Sequence, residues 1–177
     1  KMDRTGADFQ RCVAQIRGRL KSRAVPVQIP YGRESAFRGV IDLVEMRALV
    51  WESEVVGADY TVREIPADYI DAARKAREDL LDSVVEYDEV VMDQYLNGKE
   101  PDAATIRRLI RIATLKNEIV PVLCGSSFRN KGVQPMLDAV VDYLPSPADL
   151  PAVKGIEPVK SNGVVYEEAR KPSDDQP

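Results

Sequence analysis

Histidine is absent from all 177 residues, which removes the commonest general base, the commonest metal ligand and every histidine-dependent nucleophile triad. Cysteine is nearly absent: Cys12 and Cys124 stand far apart, with no metal-ligand spacing. Both sit in apolar runs and read as reduced core thiols rather than disulfide partners. No apolar stretch approaches the ~20 residues that cross a bilayer, and the amino end shows no signal-peptide pattern. The expected compartment is therefore cytoplasmic, with no membrane partner. Charge of one sign is also scarce, since 25 Lys+Arg against 29 Asp+Glu leave a formal net charge of -4. That balance supplies no bulk field toward nucleic acid or membrane, so any charge-driven contact must be local.

What is present is an ordinary globular composition, 44% hydrophobic and 31% charged, in a chain long enough for one domain or two small ones. Lys1 is not an initiator methionine, and the residues after it run straight into a helix signal. The chain reads as a fragment of a longer protein.

Thr5 to Leu20 carries Phe9, Val13, Ile16 and Leu20 at helical spacing. Between Val25 and about Pro66 the pattern changes to short β-prone runs, at Val25 to Ile29, Phe37 to Ile41, Ala48 to Trp51 and Tyr60 to Val62. Turns rich in Pro, Gly and charge, such as Tyr31-Gly32-Arg33-Glu34, separate these runs and favour a small, mostly antiparallel sheet. Three helices are expected next: Ala67 to Glu86, Asp88 to Leu96 closed by Asn97-Gly98, and Asp102 to Lys116 with Ile106, Leu109, Ile110 and Ala113 inward.

Ile119 to Cys124 is a nearly continuous apolar run ended by Gly125-Ser126, which predicts a strand buried on both faces of a parallel sheet. A helix from Val133 to Leu144 follows. Strand, turn and helix in that order form the half-unit of a doubly wound α/β domain. The tail from Pro145 to Pro177, with one β-prone run at Val164-Val165-Tyr166, reads as a linker. The expected class is α/β, with pieces 1–24 and 118–147 flanking a separate α+β module at 25–117 and a linker at 148–177.

Two short segments carry candidate chemistry. Lys1-Met2-Asp3 fits the end of the Asn-Lys-x-Asp pattern that reads guanine. A carboxylate can accept parallel hydrogen bonds from guanine's ring N–H and exocyclic amine, a donor pair that adenine lacks. The lysine stem can lie along the base while its ammonium stays in water. Taken alone, the triplet means little, since it occurs by chance often and reads first as a charged loop before a helix. Gly125-Ser126-Ser127-Phe128 is a turn of small residues after the apolar strand, placed where ligands sit in parallel sheets. Taken alone, it reads first as a generic strand-to-helix turn; the two segments together, in this order and context, say more than either.

The run from Glu118 to Pro147 resembles the end of the GTP-binding domain of the elongation factor G family of translational GTPases. The resemblance continues through Ile65-Pro66-Ala67-Asp68 and Gly39-Val40-Ile41-Asp42-Leu43 back to Lys1-Met2-Asp3-Arg4-Thr5-Gly6-Ala7. It implies the C-terminal part of a P-loop GTPase domain interrupted by an inserted α+β subdomain, a small mostly antiparallel sheet plus three helices. It also implies that Lys1 and Asp3 hold the guanine of GTP or GDP, with Ser126 and Ser127 supplying backbone contacts to its O6. The family usually has alanine where Ser127 stands. The phosphate loop, the magnesium switch and the water-positioning histidine of the family are expected outside this chain, and with them the magnesium ligands. The parent is expected to hydrolyse GTP on the ribosome and to drive movement of tRNA and mRNA; this chain alone is expected to be inactive.

Glu78, Asp82 and Glu86 fall at i, i+4 and i+8 of the first long helix, a spacing of like charges that weakens a helix slightly. The stripe reads as a solvated acidic face or as a docking surface; the resemblance implies that Asp82 and Glu86 meet the ribosomal stalk protein. Arg107, Arg108 and Arg111 form a basic stripe on the third helix, either a solvated and paired face or a contact with ribosomal RNA. Two alternatives stay open: a non-catalytic protein-interaction module, and a paralogous translational GTPase of mitochondrial, release or ribosome-protection type.

Overall fold

In the computed structural model, the described residues are 1–52 and 59–149, together with the backbone of two later strands at 153–157 and 166–170. The chain divides into two compact units, Lys1–Leu144 and Pro145–Pro177. It is a mixed fold holding both a parallel and an antiparallel sheet. Among the described residues no helix is long and apolar enough to cross a membrane.

Helix α1 spans Phe9–Leu20. It begins later than the apolar spacing suggests because Gly6 takes a left-handed φ of 77° and Asp8 caps the helix, its carboxylate accepting from the Arg11 N–H at 2.9 Å. Phe9 and Val13 are buried, but Leu20 is 72% exposed. Cys12 is also exposed, which corrects its expected place in the core: α1 presents only one narrow face to the neighbours it has here. Cys124 is buried, and that burial pushes its thiol up to about 12.

The expected strand from Val25 to Ile29 is two strands in two sheets. Strand β1 (Ala24–Pro26) pairs in parallel with a later strand at Val120–Val122, and β2 (Gln28–Tyr31) opens an antiparallel meander. Val27 is the junction, its N–H donating to the Val122 carbonyl at 3.0 Å and its carbonyl accepting from the Leu43 N–H at 3.1 Å. The meander continues through β3 (Gly39–Asp42), β4 (Arg47–Val50) and β5 (Thr61–Arg63), each paired with its predecessor. Consecutive strands pair antiparallel throughout, the order that local connections favour. At the β3–β4 turn, Asp42 accepts from the N–H groups of Val44 and Glu45 at 2.8 and 3.3 Å.

Helix α2 (Ala67–Val84) runs into a 3-10 turn at Val85–Tyr87, followed by α3 (Glu89–Leu96) and α4 (Ala103–Leu115). Asp88 caps α3, accepting from Val90 and Val91, and Asp102, expected as the first residue of its helix, is instead the cap of α4, accepting from Thr105. On α4, Ile106, Leu109, Ile110 and Ala113 are all 0% exposed, and the helix packs on α2 and on α5 (Val133–Tyr143). Arg77 ties α2 to the sheet, its Nη1 donating to the carbonyls of Leu43 and Val44 at 2.7 and 2.9 Å.

Strand β6 (Val120–Val122) is less covered than its apolar sequence suggests. Val120 is 47% exposed, because the parallel sheet has only β1 and β6 among the described residues. Helix α5 shows the same shortfall, with Met136, Leu137, Val140 and Val141 exposed. In the second unit, β7 (Val153–Glu157) pairs antiparallel with β8 (Tyr166–Arg170) inside the segment read as a linker. Of the β-prone run noted there, Val164 and Val165 lie outside the described residues.

Candidate functional site

Two loops separated by more than a hundred residues meet beside the ends of β1 and β6. The first, Lys1 to Ala7, is held by its own turns, the Arg4 N–H donating to the Lys1 carbonyl at 3.2 Å and Ala7 to Arg4 at 3.0 Å. Met2 is its buried anchor. The second is Gly125 to Gly132, a 3-10 turn at Ser127–Arg129 closed by reciprocal bonds between Ser126 and Lys131 at 2.8 and 3.0 Å. Glycine is needed here because a Cβ on Gly125 would stand 2.7 Å from the Lys131 carbonyl oxygen. Gly132 also has φ 86°, and a Cβ there would stand 2.9 Å from the Cys124 carbonyl oxygen.

The loops are joined directly. The Gly125 carbonyl accepts from Met2 N at 3.1 Å and from Lys1 N at 3.0 Å. The Ser126 hydroxyl, fully buried, donates to Asp3 Oδ1 at 2.6 Å. Arg129 Nε lies 3.9 Å from Asp3 Oδ2. The Ser126 hydroxyl, more than the arginine, holds the Asp3 carboxyl below the usual carboxylate range, against the opposing effect of burial. Asp3 is therefore a charged acceptor. One of its roughly four lone-pair sites is taken by Ser126, which leaves acceptor capacity for a ligand bearing paired donors.

All four sequence-predicted site residues, Lys1, Asp3, Ser126 and Ser127, are brought to this junction. One expected role changes: the Ser126 N–H already donates to Lys131, so Ser126 contributes its hydroxyl and not a backbone donor. Ser127 begins the 3-10 turn, where an N–H has no partner within the turn itself. Its side chain is exposed. Asp3-Arg4-Thr5-Gly6 also has the Asp-x-x-Gly spacing of a magnesium switch, but here its carboxylate is the one engaged by Ser126. Among the described residues no group of three or more His, Cys, Asp or Glu side chains could hold a metal ion.

The acidic stripe is not continuous. Helix α2 ends at Val84, so Glu86 stands on the 3-10 turn and not two helical turns beyond Glu78. Glu86 pairs with Arg23 at 2.6 Å, and Asp82 accepts from the Tyr95 hydroxyl at 3.1 Å. Both acidic residues remain exposed. The basic stripe of α4 is engaged by partners: Arg107 by Glu45, Arg108 by Asp88 at 2.7 Å, and Arg111 by the carbonyls of Asp142 and Leu144, both at 3.0 Å. Arg111 thereby caps α5 where helical carbonyls lack internal partners. These contacts favour a structural role for the stripe over RNA binding. Two residues at the junction that the sequence did not single out are Arg129 and Lys131; nothing local in their spacing marks them.

The family described as elongation factor Tu GTP binding domain matches residues 1–146. An elongation factor G from Rhodopseudomonas palustris (strain BisB18) is 49% identical over 177 residues, which is 100% of this chain and 25% of that protein. The chain thus spans about a quarter of that relative's length. A crystal structure of a protein from Thermus thermophilus superposes with a TM-score of 0.71 at 26% identity, covering 84% of this chain and 22% of that one.

Proposed function

The chain belongs to the elongation factor Tu GTP-binding domain family, and from that membership we propose that it supplies the guanine-reading edge of a GTP site. The observation that carries the proposal is the bond from Ser126 to Asp3, which joins two loops and aims a charged carboxylate. Asp3 accepts the ring N–H and exocyclic amine of guanine, the Lys1 stem flanks the base, and the Ser127 N–H faces O6. Ser126 holds Asp3 in place. GTP and GDP are the ligands; magnesium serves the phosphates in the parent, on groups that this chain does not supply.

The parent protein is a ribosome-dependent GTPase of the cytoplasm that moves tRNA and mRNA during protein synthesis. The organisation that goes with this reading has 1–24 and 118–147 as parts of the GTP-binding domain, 25–117 as its insert, and 148–177 as the lead into a following domain. No phosphate loop is present in the sequence, so the 177-residue chain should release no phosphate from GTP above a protein-free blank. The full-length parent, given ribosomes, should do so readily. Turnover by the purified chain, or a parent indifferent to ribosomes, would contradict the reading.

Asp82 and Glu86 are the docking carboxylates for a basic surface on the ribosomal stalk protein. They lie on the exposed side of α2 and of the turn after it, and each already orders a neighbouring side chain. Reversing both to lysine in the full-length parent should slow stalk-dependent stimulation of GTP hydrolysis severalfold. The defect should shrink as salt rises, because exposed charges are screened over about 8 Å at physiological ionic strength. An unchanged rate at low salt would count against this contact.

A further inference from the structure

The loop between β2 and β3 does not belong to either guanine loop, yet it touches both. Glu34 makes two bonds to the first. Its N–H donates to the Met2 carbonyl at 2.8 Å, and its carboxylate accepts from the Gly6 N–H at 2.7 Å. Residues 2 and 6 bracket Asp3, so a single side chain and its own backbone close the turn that carries the base-reading carboxylate. The second guanine loop is tied to the same segment through Lys131, a buried lysine whose Nζ donates to the Phe37 carbonyl at 3.2 Å. The backbone of Lys131 in turn brackets Ser126 from both sides. Asp3 and its hydrogen-bond donor are therefore each held from the β2–β3 loop.

The backbone of that loop is also unusual at Glu34. Glu34 has φ 53°, a left-handed conformation uncommon for a residue with a Cβ. Glycine would adopt it without strain, as Gly32 does nearby at φ 81°. Lys21 and Met46 take the same conformation, so it is the pair of hydrogen bonds at Glu34, and not its φ, that points to a use for the carboxylate.

We propose that Glu34 is a positioning residue for Asp3, and that Lys131 plays the same part for Ser126, so that the module between β2 and α4 sets the aim of the guanine-reading carboxylate. The inference rests on the guanine reading given above. It assigns base selectivity to a residue outside both recognition loops and predicts that this selectivity can be changed from the insert.

The test uses the full-length parent and compares GDP with the inosine diphosphate that lacks the exocyclic amine. Glu34→Gly removes the carboxylate and relieves the positive φ at once. The relieved φ offsets part of the lost Gly6 bond, so the unfolding midpoint should move little while GDP weakens about tenfold as Asp3 loses its aim. Because only a well-aimed Asp3 distinguishes the two bases, the preference for GDP over inosine diphosphate should shrink. Glu34→Gln, which keeps the acceptor oxygen, should restore most of both. Lys131→Met should lower the same preference. If Glu34→Gly binds GDP as wild type does, or if GDP and inosine diphosphate weaken equally and in step with stability, the positioning role is wrong. Failure of the guanine reading would show differently: substitution of Asp3 itself would then leave guanine affinity intact.

Discussion

Leu109→Ala is expected to destabilise the chain by about 2–5 kcal/mol, the range for truncating a buried leucine to alanine. Leu109 is 0% exposed on α4, flanked on the same face by Ile106 and Ile110 and packed in one core with Leu80, Leu81 and Val84 of α2. Removing its methyls costs their transfer energy and leaves a cavity that two helices clamped by Arg77 and Arg111 are poorly free to close. Val141→Ala on α5 removes two carbons, one fewer than Leu109→Ala, from a residue that is 78% exposed, and should change stability by less than about 0.5 kcal/mol. Urea unfolding followed by the fluorescence of the buried Trp51 reads both, with equal slopes required for a two-state comparison. A loss under about 1 kcal/mol for Leu109→Ala would mean that α4 does not form the centre of the core.

The contrast between those two helix faces also shows what a sequence can tell. For α4 the inward set Ile106, Leu109, Ile110 and Ala113 was legible because amphipathic spacing, an aspartate cap and a glycine-closed preceding helix are all local signals. The meander was legible for the same reason, since each strand pairs with the one before it in sequence. Spacing failed where burial depends on distant partners. The apolar run of β6 predicts two covered faces, but only β1 flanks it among the described residues. Val25 to Ile29 looks like one strand and is divided at Val27, because its two halves find partners in different sheets.

The same distinction holds at the site. Residue types at Lys1-Met2-Asp3 and Gly125 to Phe128 suggested guanine chemistry, and family resemblance supplied the pairing, but no periodicity could place the Ser126 hydroxyl on Asp3. Nor could it foresee that the Ser126 N–H is used internally by Lys131, or that Glu34, read only as part of a turn, bridges Met2 and Gly6. Glu86 was assigned to a helical stripe by counting in fours; the helix stops at Val84, and the residue pairs with Arg23 instead.

The second large effect concerns Asp3. Its carboxylate is held below the ordinary range, chiefly by Ser126, which favours the charged form that accepts hydrogen bonds. Two charge-assisted bonds to guanine, at about 1.5–3 kcal/mol each, give a stake of about 100-fold or more in affinity. Asparagine keeps an oxygen for Ser126 but turns an amide NH2 toward the base, where it meets the guanine amine donor to donor. Xanthine has a carbonyl at that position and accepts the same NH2. The site should therefore trade one base for the other, and not merely weaken.

The direct measurement is an equilibrium titration of the full-length parent and its Asp3→Asn variant with GDP and with xanthosine diphosphate. The variant should lose about 100-fold or more in GDP affinity and prefer xanthosine diphosphate, while wild type prefers GDP. An Asp3→Asn protein that binds GDP as tightly as wild type would contradict the assignment of this junction to guanine.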